Sequence, residues 1–293
     1  MQRQDWIMIA TLSVLWGGSF LFVEIGLEAL TPLPLVWWRV ALAALVLAFA
    51  LPVMGIAFPG RGSWAALLGM AVLNNILPFS LIAVAQGELT GALASVLNAT
   101  TPLFTLLLAH LLTQDEQITP AKALGLGLGF GGVVVMLAGG EMGGALVAKL
   151  CSLMAAISYA CAGIFGRRFR RMGLAPLATA FGQVTASALV LTPLVVLAAP
   201  PWDMGWPGAR VAGAILALAV LSTALAYGLF FRILERVGAT NLSIVTFLIP
   251  VSATLLGAVV LGERLLPQHL VGFALICAGL VAIDGRVQKW RQR

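Results

Sequence analysis

The sequence predicts an all-α integral membrane protein with ten transmembrane helices arranged as two inverted five-helix repeats, and three observations predict it. The 293 residues are 61% hydrophobic and only 10% charged, which is more apolar surface than a soluble core can hide. The apolar stretches come in runs of about 20 residues, the length that crosses a hydrocarbon core. The stretch around the fourth run also reappears, altered, around the ninth.

Reading apolar runs between breakers places helices at about residues 6–26, 34–51, 64–84, 90–112 and 120–138. After Gly139 and Gly140, five more fall at about 145–165, 176–198, 211–231, 240–261 and 266–283. The first repeat is therefore 1–140 and the second 141–293. The connections are too short to fold alone, which excludes a nucleotide-hydrolysing domain or a DNA reader. Arg3 precedes the first run as in a secretory leader, but the apolar stretch continues to Val23 with no cleavage motif after it, so it reads as a permanent helix.

Ten runs put both termini on one side, and charge selects which. With the N-terminus inside, thirteen of the 17 basic residues face the cytoplasm: Arg3, Arg61, Lys122, Arg167, Arg168, Arg170, Arg171, Arg232, Arg236, Arg286, Lys289, Arg291 and Arg293. Arg39, Lys149, Arg210 and Arg264 are left outside. This asymmetry accounts for the net charge of +6 without nucleic acid as a partner. Seven of the eight tryptophans lie near predicted ends, where the headgroup region suits their rings. Trp16 does not: ten residues beyond Trp6, it sits ~15 Å deeper, near the midplane.

No reactive constellation emerges. Cys151, Cys161 and Cys277 are an odd number inside helices with no metal spacing, and His110 and His269 have no companion ligand. No catalytic residue, metal or cofactor is expected, and an integral-membrane enzyme is the remote alternative.

The halves match residue by residue around runs 4 and 9: Pro102 with Pro250, Glu116 with Glu263, Pro120 with Pro267, Gly125 with Gly272, and Gly132 with Gly279. Five helices is an odd number, so the second copy enters the membrane from the opposite side, the inverted design of secondary transporters. Two similar halves of opposite hand can exchange shapes, which predicts alternating access around a site at mid-depth. Pro102 and Pro250 interrupt their helices there, each freeing a backbone carbonyl that lipid cannot satisfy.

The five-plus-five layout and the stretches LWGGSFLFVEIGLEAL, RVALAALVLAF, ATTPLFTLLLAHLLTQDEQIT and LIPVSATLLGAVVLGERL resemble the drug/metabolite transporter superfamily, EamA type, over almost the whole chain. Within it the chain is similar to YddG-type bacterial amino-acid exporters. The resemblance implies export of small metabolites across the bacterial inner membrane, through a site enclosed by helices 1–4 and 6–9. Export of a drug or another metabolite is the alternative within the same fold.

Polar groups at depth then nominate the site. Asn74, Asn75 and Asn98 are the costliest to bury, since each amide needs several partners. With them stand Trp16, Ser19, Phe79, Thr101, Tyr159, Ser222, Tyr227 and Thr246, and the helix interruptions Pro102 and Pro250. No basic residue is expected at mid-depth, so the lining suits amides, hydroxyls and zwitterions such as amino acids rather than phosphorylated solutes. Single Ser and Thr residues also serve as glue between membrane helices. The middle of run 1 carries no carboxylate, and Glu24 reads as an interfacial group hydrated by headgroup water, so facilitated diffusion or a weakly coupled export driven by the cytoplasmic substrate gradient is expected. Gly125, Gly127, Gly129, Gly131 and Gly132 in run 5 face Gly272 and Gly279 in run 10 as a close-packed scaffold. A monomer suffices, because one chain carries both halves.

Overall fold

The computed structural model describes residues 2–112, 118–138, 144–200, 205–242, 244–264 and 266–284. Glu116, the Gly139–Gly140 junction and the basic residues Arg286, Lys289, Arg291 and Arg293 lie outside the described residues. All regular structure among the described residues is helical, as lipid requires when every backbone group must be satisfied within its own segment.

The first half comprises α1 (Arg3–Leu27), α2 (Pro32–Val53), α3 (Trp64–Ala71), α4 (Leu77–Gln86), α5 (Gly91–Asn98), α6 (Thr101–Leu112) and α7 (Pro120–Ala138). The second comprises α8 (Gly144–Arg171), α9 (Pro176–Ala198), α10 (Ala209–Ala219), α11 (Ala226–Leu242), α12 (Ile244–Leu261) and α13 (Pro267–Asp284). Proline opens α2, α7, α9 and α13, the helical position where its missing N–H costs nothing. Eight helical stretches are long and apolar enough to cross a membrane, and Lys122–Val135 and Pro267–Ile283 are shorter apolar helices.

Three predicted runs differ in detail. Run 3 is α3 and α4 joined by a π-helical turn at Val72–Ile76. Pro78 has no N–H for the Asn74 carbonyl, and a widened turn is one way a helix passes such a gap. Run 8 contains a second π turn, Val220–Leu225, held open where Thr223 Oγ1 donates to the Leu218 carbonyl at 2.9 Å. That helix also continues beyond the predicted end to Gly238, whose φ of 76° breaks it. Run 4 is divided: α5 ends at Asn98 and α6 starts at Thr101. The break falls just before Pro102, and the Asn98 carbonyl that Pro102 deprives of a donor accepts instead from Thr101 Oγ1 at 2.7 Å.

The packing of the two halves is reciprocal. α1 lies against α12 as α8 lies against α5 and α6; α4 meets α8 as α1 meets α10 and α11; α3 meets α9 as α2 meets α10. The α7–α13 seam repeats this at residue level. A Cβ on Gly125 would stand 2.6 Å from the Gly279 carbonyl oxygen, and one on Gly132 would stand 2.5 Å from that of Gly272. Only hydrogen fits at these crossings, so the backbones touch. Gly127 and Gly131 face open space, while Gly129 turns its Cβ side to Leu103 and its backbone to Gly279, which corrects the expectation that all five glycines of run 5 meet run 10: a helix turns ~100° per residue, so Gly125, Gly129 and Gly132 share the seam and Gly127 and Gly131 do not.

Candidate functional site

The centre of the bundle holds a cavity of about 1330 Å³, above the ~300–1,000 Å³ of most small-molecule pockets and so roomy enough for a solute together with water. Its rim includes Lys122, Arg170 and Gly173, at the end of the bundle where α8 finishes and α9 begins. There Asp5 of α1 pairs with Arg236 of α11 at 3.0 Å. Towards the other end the lining stops at Val23 and Gln86.

Trp16, Ser19, Asn74, Phe79, Asn98, Thr101, Tyr159, Ser222, Tyr227 and Thr246 all line this cavity, with Pro102. Two nominated residues do not. Asn75 is fully buried and off the cavity surface, because consecutive helical side chains point in different directions and Asn74 takes the inward one. Pro250 shares a buried face of α12 with Ala253 and Gly257, the face that packs on α1 where Gly17 approaches Ala253. Several of the hydroxyls act as interhelical or local glue: Ser222 donates to the Leu15 carbonyl at 2.6 Å, and Ser19 to that of Trp16 at 2.6 Å.

The polar floor is a network spanning both halves. Asn74 Nδ2 donates to Gln183 Oε1 of α9 and to the Tyr227 hydroxyl of α11, both at 3.0 Å. Both π turns deliver residues to the cavity wall, Asn74 from the first and Ser222 and Thr223 from the second. A π turn shifts the residues after it relative to the preceding face, a recurrent device at functional sites. Aromatic rings form much of the remaining wall, with Trp16 against Phe230 at 5.4 Å between centroids. Asn98 Oδ1 is buried and accepts no hydrogen bond.

Two expectations from the sequence are overturned. Arg39 is not an outward loop residue: it is 7% exposed, lines the cavity, donates from Nε to Thr223 Oγ1 at 3.0 Å, and stacks its guanidinium carbon 3.5 Å from the Phe79 ring centre. It stands seven residues into α2, about 10 Å below that helix's start. The interior therefore holds a deep basic residue, and phosphorylated solutes are not excluded by a lack of one. The signal was available, since a charge within an apolar run is a functional marker by default; counting it as a loop charge concealed it. Glu24, read as hydrated by headgroups, instead accepts from the Gly91 N–H at 2.8 Å, and Glu263 accepts from Gly91 and Ala92, each at 3.1 Å. Two carboxylates thus cap α5, where a helix N-terminus favours negative charge, at the closed end of the cavity.

Fold and cavity define a multi-pass helical membrane protein built around an internal, one-sided, solute-sized compartment. The chain belongs to the EamA-like transporter family, whose model matches it twice, at residues 6–138 and 146–283. It is 27% identical over 291 residues to a Salmonella typhimurium protein named "Probable amino-acid metabolite efflux pump", covering 96% of this chain and 94% of that one. An Escherichia coli K12 protein of the same name is 25% identical, covering 100% and 98%. A solved crystal structure shares the fold with a TM-score of 0.70 at 20% identity, over 100% of both chains.

Proposed function

We propose that this transporter exports amino acids or related small zwitterionic metabolites across the bacterial inner membrane by alternating access, with ten crossings in two inverted halves and both termini cytoplasmic. The observation that carries this reading is the one-sided cavity: floored by Asn74, Gln183 and Tyr227, open at the end marked by Lys122 and Arg170, and stopped at the end marked by Glu24 and Glu263. The open end carries most of the basic residues, so by the positive-inside rule it faces the cytoplasm. The reciprocal packing of the halves supports the inverted repeat, because contacts exchanged between equivalent elements are what a two-fold relation produces. A monomer contains the whole pathway.

The experiment is counterflow in liposomes containing the purified protein, with a panel of neutral, aromatic, basic and acidic amino acids. Saturable exchange of at least one of them without an imposed pH gradient is expected. Flux that rises linearly without saturation indicates a pore, and a strict need for a pH gradient overturns the uncoupled mechanism. A second reading, export of aromatic drug-like compounds, is favoured by the wall of Trp16, Phe79, Phe230 and Phe231; exchange of aromatic amines with no exchange of amino acids would select it.

A further inference from the structure

Arg39 poses a problem of charge. Its guanidinium is withdrawn from solvent and, among the described residues, no aspartate or glutamate pairs with it. Among the described residues its hydrogen-bond and ring partners are one neutral hydroxyl on Thr223 and the face of Phe79. The Tyr159 and Tyr227 phenols lie within electrostatic reach and also line the cavity. A cation removed from water is costly unless paired, and a ring face with one hydroxyl replaces only part of what hydration supplied. The Nε contact and the ring stacking fix the plane of the group, while the two terminal nitrogens make no hydrogen bond among the described residues. A guanidinium held this way presents the fork that matches a carboxylate with two parallel hydrogen bonds.

We infer that Arg39 is the anion subsite of the cavity, and that it receives the α-carboxylate of the transported solute. This rests on the reading of the cavity as the transport site. The count of charges selects a carboxylate over a phosphate ester. Among the described residues that line the cavity the other cations are Lys122 and Arg170, out at the rim, so one negative charge is neutralised by Arg39 and a second is left over. The unpaired cation is therefore the feature that selects the acid end of a zwitterion, and the α-ammonium is left to the neutral hydroxyls and amides that line the same space.

The test compares solutes that differ only at the carboxylate. L-leucine, L-phenylalanine and L-serine are measured against their α-carboxamides, by counterflow and by the shift in melting temperature of the purified protein, for wild type, Arg39→Gln, Arg39→Lys and Thr223→Val. Wild type is expected to prefer the acids by about tenfold or more, the factor that a charge-assisted pair confers. Arg39→Gln should abolish that preference, Arg39→Lys should keep part of it, and Thr223→Val, which removes the Nε contact together with the bond to the Leu218 carbonyl, should reduce it. A merely structural role for Arg39 would slow acids and amides alike and leave their ratio intact; that result, or equal handling of acid and amide by wild type, overturns the assignment. Should Arg39→Gln fail to fold, the Arg39→Lys and Thr223→Val ratios decide the same question. If wild type exchanges none of the panel, the proposed function fails. The inference is then judged by stabilisation alone: an acid-specific shift that needs Arg39 upholds an anion subsite, and no shift removes it. Stabilisation by inorganic phosphate exceeding that by the amino acids would replace carboxylate with phosphate.

Discussion

Glu24 and Glu263 accept the same backbone donor, the Gly91 N–H, at 2.8 and 3.1 Å. The two carboxylates come from α1 and from the turn after α12, so a single helix start, that of α5, ties three elements together at the closed end of the cavity. The packing leaves no spare room: a Cβ on Gly91 would lie 3.2 Å from Glu24 Oε2 and 3.1 Å from Gln86 Nε2. Glu263→Ala removes two hydrogen bonds from the α5 N-terminus. The expected loss is about 2 kcal/mol, the scale of bonds to a charged group, read as a lower melting temperature. Glu263→Gln keeps an accepting oxygen and should recover part of it.

The α7–α13 seam gives a prediction with its own control. Gly125→Leu forces a side chain against the Gly279 carbonyl and should cost about 1–3 kcal/mol, the usual penalty for overpacking. Gly127→Leu points into open space and should leave thermal unfolding unchanged. Equal effects at the two positions would remove the seam as the reason for the glycines.

Removal of the central donor tests the polar floor. Asn74→Ala deletes both bonds to Gln183 and Tyr227 and strands the side-chain Oε1 of Gln183, a residue 2% exposed. A destabilisation of about 1–3 kcal/mol is expected for a stranded buried acceptor. Tyr227→Phe removes one partner only, so Asn74 keeps its bond to Gln183 and the cost should be about 1 kcal/mol. Chemical or thermal unfolding of the two variants side by side measures the difference.

Asn98 and Trp16 separate transport from stability. Asn98 Oδ1 makes no hydrogen bond, so Asn98→Ala breaks none at that atom and should melt within a few degrees of wild type. Its counterflow rate should fall about tenfold if that oxygen holds a solute donor, a loss of ~1.4 kcal/mol in binding. Trp16→Ala removes a cavity wall packed on Phe230 and should slow exchange as well. Wild-type rates in both variants would take these residues out of the site.

The division of information between sequence and structure can be followed residue by residue. Trp16 and Asn74 were legible because an amphipathic ring or an amide at membrane depth is expensive wherever it points. Asn75 was not separable from Asn74, since only the direction of each side chain on the helix distinguishes a cavity residue from a packed one. The break before Pro102 was legible from the missing N–H, while the donor that repairs it, Thr101, depended on local geometry.

Composition, the spacing of apolar runs and the placement of basic residues determined a helical membrane protein and the direction proposed for it, because lipid imposes those constraints on the chain one segment at a time. Which charges are loop charges and which belong to the interior was decided by tertiary structure. Arg39 becomes a cavity residue only when Thr223 and Phe79, distant in sequence, close around it, and Glu24 becomes a cap only when α5 and the turn after α12 arrive beside it. Such partnerships join segments far apart along the chain, and no local pattern of residues encodes which segments meet.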